Sequence, residues 1–206
     1  MTAYLFPAIT SYLLGSIPFG LIASKLLRNV DIRDYGSGRT GSTNVQRTLG
    51  TPAALIVLLM DTAKSVLAVL FTRILSDNPG VEAAAALTVI LGHNFPVFIG
   101  FKGGRGIAPG IGGLLVLSPI SGLIALTIGL PSIALWKYVS LGSLLGGTAG
   151  VVTLSILCLT GSQPLEYIWY GLFGIILVFA SHKDNIKRLV NRRERRLGQI
   201  EESVKT

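Results

Sequence analysis

His93-Asn94-Phe95-Pro96-Val97-Phe98-Ile99-Gly100-Phe101-Lys102-Gly103-Gly104-Arg105-Gly106 lies between two apolar runs. Two cations among three glycines are out of place in lipid, so the stretch marks where one membrane segment ends and the next begins. Glycines let a backbone turn its N–H groups into one concavity, and Lys102 and Arg105 add positive charge there. The loop is therefore suited to an anion, above all a phosphate. Gly36-Ser37-Gly38-Arg39-Thr40-Gly41-Ser42-Thr43-Asn44 repeats this composition upstream, and two such loops in one small membrane protein suggest a shared site.

Outside these loops the chain is apolar. Of its 206 residues 50% are hydrophobic and 14% charged, and the mean hydropathy is +0.63, which places it among membrane proteins. Apolar runs near residues 4–24, 52–72, 81–99, 106–117, 119–138, 141–160 and 164–181 predict an all-α integral membrane protein with about seven transmembrane helices. The first run has no basic stretch before it and reads as a retained span rather than a cleaved leader. The fourth run, interrupted by Ser118-Pro119, is short for a full crossing and is expected to begin inside the membrane or to re-enter it.

Lys25, Arg28, Arg33, Arg39 and Arg47 follow the first run, Lys102 and Arg105 the third and Lys137 the fifth, and eight of the eighteen Lys and Arg residues lie in 183–206. With seven crossings these segments share one face, which puts the N-terminus outside and the C-terminus in the cytoplasm. Residues 1–206 are then one polytopic domain, with 183–206 a basic cytoplasmic tail. The net charge of +8 is placed to meet lipid headgroups rather than nucleic acid. Cys158 is the only cysteine, so no intrachain disulfide can form. The 27-residue connection 25–51 is too long to be structureless and is expected to be folded and functional. Gly142, Gly146 and Gly150 recur every four residues, a stripe expected to serve close helix packing.

Three polar clusters lie on the predicted cytoplasmic face: Gly36 to Arg47, His93 to Gly106, and His182-Lys183-Asp184-Asn185-Ile186-Lys187-Arg188-Leu189. In the third, a helix would align His182, Asn185 and Arg188 on one face, turned toward the site. Arg192 to Arg196 are expected to rest on headgroups, so truncation at 192 should leave an enzyme largely active. Asp61 and Lys64, three apart inside an apolar run, are expected to form a structural ion pair, with each other or with a neighbouring helix, or to serve at the floor of the site. His93 suits a helix cap and catalysis equally well. The sequence contains no GxxxxGK[ST], no HExxH, no Cys/His ligand spacing and no His-x4-Asp pattern, so nucleotide hydrolysis, a metal site and one large class of acyltransferase lose support.

GSGRTGSTNVQRTLG, GHNFPVFIGFKGGRGIA and HKDNIKRL together resemble, in order, the three cytoplasmic motifs of the bacterial acyl-phosphate:glycerol-3-phosphate acyltransferase family, PlsY. Phe19-Gly20, the Asp61/Lys64 pair and Trp136-Lys137-Tyr138-Val139-Ser140 also resemble family positions, and the resemblance covers nearly the whole chain. It implies transfer of an acyl group from acyl phosphate to the sn-1 hydroxyl of glycerol 3-phosphate, giving lysophosphatidic acid and phosphate. It calls for no cofactor and no metal. Its implied partners are the two substrates, membrane lipids and the upstream enzyme that forms the acyl phosphate. By the same resemblance Ser37, Gly38, Thr43, Asn44 and Arg47 contact substrate phosphates, and Gly103, Gly104 and Gly106 supply N–H groups, with Lys102 and Arg105 as counter-charges. Ser140 and Ser143 complete the glycerol 3-phosphate pocket. His182, Asn185 and Ser37 are the implied catalytic residues and Arg188 binds substrate. Either His182 or a phosphate oxygen of the donor takes the hydroxyl proton. Arg39, Ser42, Arg105, Pro109, Ser181 and Asn191 depart from the family's usual Asn, Ala, Lys, Thr, Arg and Gly. The rival reading is a transporter of an anionic metabolite, whose site should lie at mid-membrane between related halves.

Overall fold

The structure, a computed structural model, describes residues 2–198, with side chains from Tyr4. The described residues form helices α1 (Thr2–Gly15), α2 (Phe19–Arg28), α3 (Ser42–Leu49), α4 (Thr51–Leu75), α5 (Pro79–Asn94), α6 (Ile107–Leu117), α7 (Pro119–Trp136), α8 (Val139–Leu159), α9 (Tyr167–Ser181) and α10 (Lys183–Val190). Five segments are long and apolar enough to cross a membrane: Tyr4–Arg28, Thr51–Leu75, Pro79–Ile99, Pro119–Trp136 and Val139–Leu159. α6 and α9, with 11 and 15 residues, fall short of the roughly 20 residues that a bilayer core requires, so of about seven expected crossings five are full length and two are short apolar helices, α6 as expected and α9 not.

Two of the helix breaks have an identifiable cause. Ser118 before Pro119 ends α6, and its hydroxyl, fully buried, lies 2.8 Å from Ser121 Oγ, so the break is satisfied inside the protein. Pro18 separates α1 from α2, and the Ile17 carbonyl at the break accepts from the Phe19 N–H at 3.2 Å and from Lys64 Nζ at 3.3 Å.

Large side chains such as Leu59, Ile74, Leu135, Ile156 and Leu159 face outward, forming an apolar exterior, while alanines, glycines and a few β-branched residues fill the interior. The expected glycine stripe serves close packing. A Cβ on Gly146 would lie 2.5 Å from the Ala125 carbonyl, and one on Gly150 2.9 Å from Ala125 Cβ, so α8 rests directly on α7.

Two buried charge groups fasten the bundle. Where the first turn of α5 meets the ends of α4 and α6 and the start of α9, Glu82 accepts from Arg73 at 2.6 Å and from the Tyr167 hydroxyl at 2.9 Å, while Arg73 also donates to the Val116 carbonyl. The other group is the expected Asp61–Lys64 pair, 2.8 Å apart, each side chain 2% exposed. Asp61 Oδ1 makes no aligned hydrogen bond, so the pair is held mainly by charge. Lys64 Nζ also lies 2.9 Å from His93 Nδ1 and 5.8 Å from the Phe19 ring centre. Lys64→Met alone strands a buried carboxylate and is expected to destabilise by about 3–5 kcal/mol, whereas Asp61→Leu/Lys64→Met together should recover most of that loss. Thermal unfolding in detergent measures both, and additive losses would contradict the pairing.

Candidate active site

The polar clusters meet at one end of the bundle, where α2, α5, α7 and α9 end and α4, α6 and α8 begin. The first loop is shaped from within. Asp31 accepts from the Arg33 backbone N–H at 2.9 Å and from its guanidinium at 2.7 Å, and this guanidinium pulls the carboxyl below its ordinary pKa. Arg33 also donates to the Ile99 carbonyl at 3.0 Å, tying the first loop to the second. Asn44, at the start of α3, donates to the carbonyls of Ile32, Tyr35 and Arg39 and accepts from the Ser37 N–H at 2.9 Å. Its amide is thus spent on holding Ser37 and Gly38 in a tight turn, in which Gly38 takes a φ of +66° that other residues rarely adopt. Ser37 and Thr43 are half-buried beside it.

The glycine-rich loop is also internally bonded. The Gly103 N–H donates to the Asn94 carbonyl at 3.2 Å and the Gly104 N–H to the His93 carbonyl at 2.9 Å. These two N–H groups therefore clamp the loop onto the end of α5. The imidazole of His93 lies where a Cβ of Gly104 would be, so the glycine is required for that approach. His93 supports the loop from behind, through Lys64. Gly106, with a φ of +80°, starts α6, whose first N–H groups are the ones left to face an anion, while Lys102 is exposed at the rim.

Arg105 is the centre of the charge. Burial, then the positive charges of Arg39 and Arg188, lower its pKa to about 10, with Glu194 acting the other way and Arg47 adding to the decrease. It remains charged at neutral pH, and its buried Nε has no hydrogen-bond partner. Glu194 stands among these cations. Its carboxylate accepts from Ser140 Oγ at 2.9 Å, Asn185 Nδ2 at 2.6 Å and Arg188 Nε at 2.8 Å. The segment bearing it folds back onto the α7–α8 turn, where the Leu197 N–H donates to the Lys137 carbonyl at 2.6 Å and Arg196 lies over the Tyr138 ring. The expectation for Arg192 to Arg196 is corrected accordingly. The exposed arginines flank a buried acid, and truncation at 192 would remove it. Asn185 Oδ1 remains without a partner.

His182, 2% exposed, ends α9 with Nδ1 2.8 Å from the Val178 carbonyl. A carbonyl only accepts, so Nδ1 carries the proton and Nε2 presents a lone pair. Burial above all, then Arg105 and Arg39, push its pKa from 6.5 down to about 4, against the opposing effects of the Val178 carbonyl and Glu194. The unfolded chain takes up this proton near 6.5 and the folded chain only near 4, so this group's contribution is complete above 6.5 and is lost as pH falls through that window. The chain has two histidines, which makes the site easy to observe. In a titration of ¹⁵N-histidine-labelled protein, the His182 resonance is expected to stay neutral and Nδ1-protonated at pH 5.5. Titration near 6.5 would contradict this environment.

Ser143 lies apart from the cationic cluster, one turn into an apolar cavity of about 110 Å³ that starts at Gly106 and Ile107 and runs between α6, α7, α8 and α9. The cavity thus begins at Gly106, the residue after Arg105, and its walls carry no charged side chain.

Two solved structures share this fold across almost their whole length. Crystal structures of PlsY (YgiH), an integral membrane glycerol 3-phosphate acyltransferase, match with TM-scores of 0.84 for its glycerol 3-phosphate form and 0.85 for its lysophosphatidic acid form, at 35% and 33% identity. The matches cover 96% and 97% of both chains. The Glycerol-3-phosphate acyltransferase profile matches residues 5–192. This chain belongs to that family. A glycerol-3-phosphate acyltransferase of Halalkalibacterium halodurans is 42% identical over 198 residues, 95% of this chain and 96% of the relative.

Membership in the acyltransferase family favours acyl transfer over transport. The sequence reading missed Glu194, a lone acid between two arginine pairs, and the cavity, which four helices build jointly. Its only sequence trace is the high glycine content of α6, α8 and α9.

Proposed function

We propose that this chain transfers a fatty acyl group from acyl phosphate to the sn-1 hydroxyl of glycerol 3-phosphate, giving lysophosphatidic acid and inorganic phosphate. The observation that carries this reading is Arg105, whose buried Nε has no partner among the described residues, close to the charges of Arg39, Arg47 and Arg188 and next in the chain to Gly106, where the apolar cavity starts. Both substrates bear phosphate and one bears an acyl chain, which matches cations on one side and apolar walls on the other.

An acyl phosphate is a mixed anhydride with a good leaving group, so the protein chiefly has to orient the reactants and stabilise developing charge. The glycerol hydroxyl attacks the acyl carbonyl, the new C–O bond forms, and the C–O bond to phosphate breaks. Arg105, Arg188 and the start of α6 stabilise the departing phosphate, with Lys102 at the rim. Gly103 and Gly104 act by clamping the loop. Arg47, Thr43, Ser37 and Gly38 bound the glycerol 3-phosphate side, with Asn44 as the positioning residue of that turn. Ser140, Asn185 and Glu194 form the wall opposite, and Ser143 meets the start of the acyl chain. With its pKa held near 4, His182 is a weak base, so the attacking hydroxyl gives its one proton to the donor's phosphate oxygen, while the Nε2 lone pair helps to orient the reactants.

Seven crossings, with α6 and α9 as the short ones and the N-terminus outside, place this end of the bundle in the cytoplasm. Glycerol 3-phosphate then enters from water and the donor from lipid, supplied by the enzyme that forms it. The test is a donor panel: purified protein with labelled glycerol 3-phosphate and palmitoyl phosphate, palmitoyl-CoA or palmitoyl acyl carrier protein. Labelled lysophosphatidic acid should form with the phosphate donor. Product with a thioester donor alone would overturn the donor assignment.

A further inference from the structure

Lys64 stands behind both anion loops at once. Its ammonium, in a side chain 2% exposed, meets three groups: Asp61 Oδ1 at 2.8 Å, His93 Nδ1 at 2.9 Å and the Ile17 carbonyl at 3.3 Å. So enclosed a group acts on the site only through its neighbours. An ammonium donates and never accepts, so His93 Nδ1 is the acceptor and the ring proton sits on Nε2. A proton on Nδ1 would have to go to Asp61 Oδ1, which lies 3.4 Å away and receives no aligned hydrogen bond. His93 is thereby held in the tautomer opposite to that of His182.

Two short lines of contact run from this cation to the two loops. Through His93 it reaches the second. The imidazole fills the place that a Gly104 side chain would take, and the His93 carbonyl accepts from the Gly104 N–H at 2.9 Å, so the ring sets the seat of the residue before Arg105. Through the α1–α2 break it reaches the first. Ile17 leads into Phe19, whose ring centre lies 5.8 Å from Lys64 Nζ, and a Cβ on the next residue, Gly20, would run into the Thr40 carbonyl of the first loop. The bundle's other buried charge group, Arg73 with Glu82, sits at the far end and bonds instead to Tyr167 and the Val116 carbonyl.

We propose that Lys64 and His93 are positioning residues for acyl transfer: the ammonium fixes His93 in its Nε2–H tautomer and holds the two anion loops in register, so that Arg105 and the turn at Ser37 face one space. This rests on the acyltransferase reading of the site and adds two residues that serve it without touching substrate.

The test uses Asp61→Leu/Lys64→Met in nanodiscs, which removes the cation without stranding its carboxylate. This variant should unfold close to the wild-type temperature, yet its kcat/KM with palmitoyl phosphate and labelled glycerol 3-phosphate should fall about ten- to a hundredfold, the scale of a misplacement of about 1 Å. In ¹⁵N-histidine spectra, wild-type His93 should carry its proton on Nε2 and the variant should show both tautomers. Arg105→Ala should cost about tenfold less in this background than in wild type, because Arg105 is already displaced. The proposal is overturned by wild-type kcat/KM in the folded double variant, by the full cost of Arg105→Ala there, by an unchanged tautomer in it, or by wild-type His93 protonated on Nδ1. Should the double variant not fold, Lys64→Arg keeps the charge pair but not the bond geometry, and wild-type kcat/KM in it would overturn the proposal equally. A wild-type chain that uses no acyl phosphate would defeat the donor reading instead, and the tautomer of His93 then decides the role of Lys64.

Discussion

Arg105→Ala is expected to lower kcat/KM for acyl transfer to glycerol 3-phosphate by about a thousandfold, the scale on which removal of one charge-stabilising donor acts. Arg105 is only partly exposed and charged at neutral pH, and its buried Nε has no partner among the described residues. Such a donor is costly without an anion and strong with one. Arg105→Lys keeps the charge and loses the fork, so a fall of about tenfold is expected. Lysine is also the residue that the family resemblance sets at this position. The change belongs mainly in kcat if the departing phosphate is the contact, and mainly in KM if the glycerol 3-phosphate phosphate is. Steady-state kinetics with each substrate varied separates the two, and wild-type kcat/KM in Arg105→Ala would remove Arg105 from the site.

Glu194→Ala is expected to cost about 2–4 kcal/mol of stability and most of the turnover. One carboxylate satisfies Ser140 on α8, and Asn185 and Arg188 on α10, so its loss leaves two buried donors and one partly exposed cation without their acceptor. The tail segment then loses its hold on the α7–α8 turn. Glu194→Gln keeps one acceptor oxygen and removes the charge, so a smaller loss is expected, together with weaker retention of Arg188. Thermal unfolding and turnover of the two variants measure this, and an unchanged unfolding temperature in Glu194→Ala would show that the carboxylate fastens nothing. A cut after Gly198, which spares Glu194, should leave both properties near wild type.

The parts legible in sequence were those written locally. Apolar runs located every membrane helix, Ser118-Pro119 located the break, and Asp61 with Lys64, three apart on one helix, gave the buried pair. The order of three polar motifs gave the family. What escaped depends on contacts between distant segments. Glu194 pairs with Ser140 across 54 residues, and a lone acid in a basic tail gives no hint of that. Gly103 and Gly104 were read as anion donors because glycine frees the backbone, yet their N–H groups are used by the end of α5, a choice set by how the loop folds back. The shortness of α6 was legible from Ser118-Pro119, whereas that of α9 was not. The cavity belongs to the packing of four helices at once, which no single helix displays.

The most direct test of the account is the stoichiometry of the reaction. Purified protein in sealed proteoliposomes, given palmitoyl phosphate and labelled glycerol 3-phosphate, should release inorganic phosphate and form lysophosphatidic acid in equal amounts, with neither appearing when glycerol 3-phosphate is withheld. Phosphate released without lipid product, or label accumulating inside the vesicles as unchanged glycerol 3-phosphate, would contradict it.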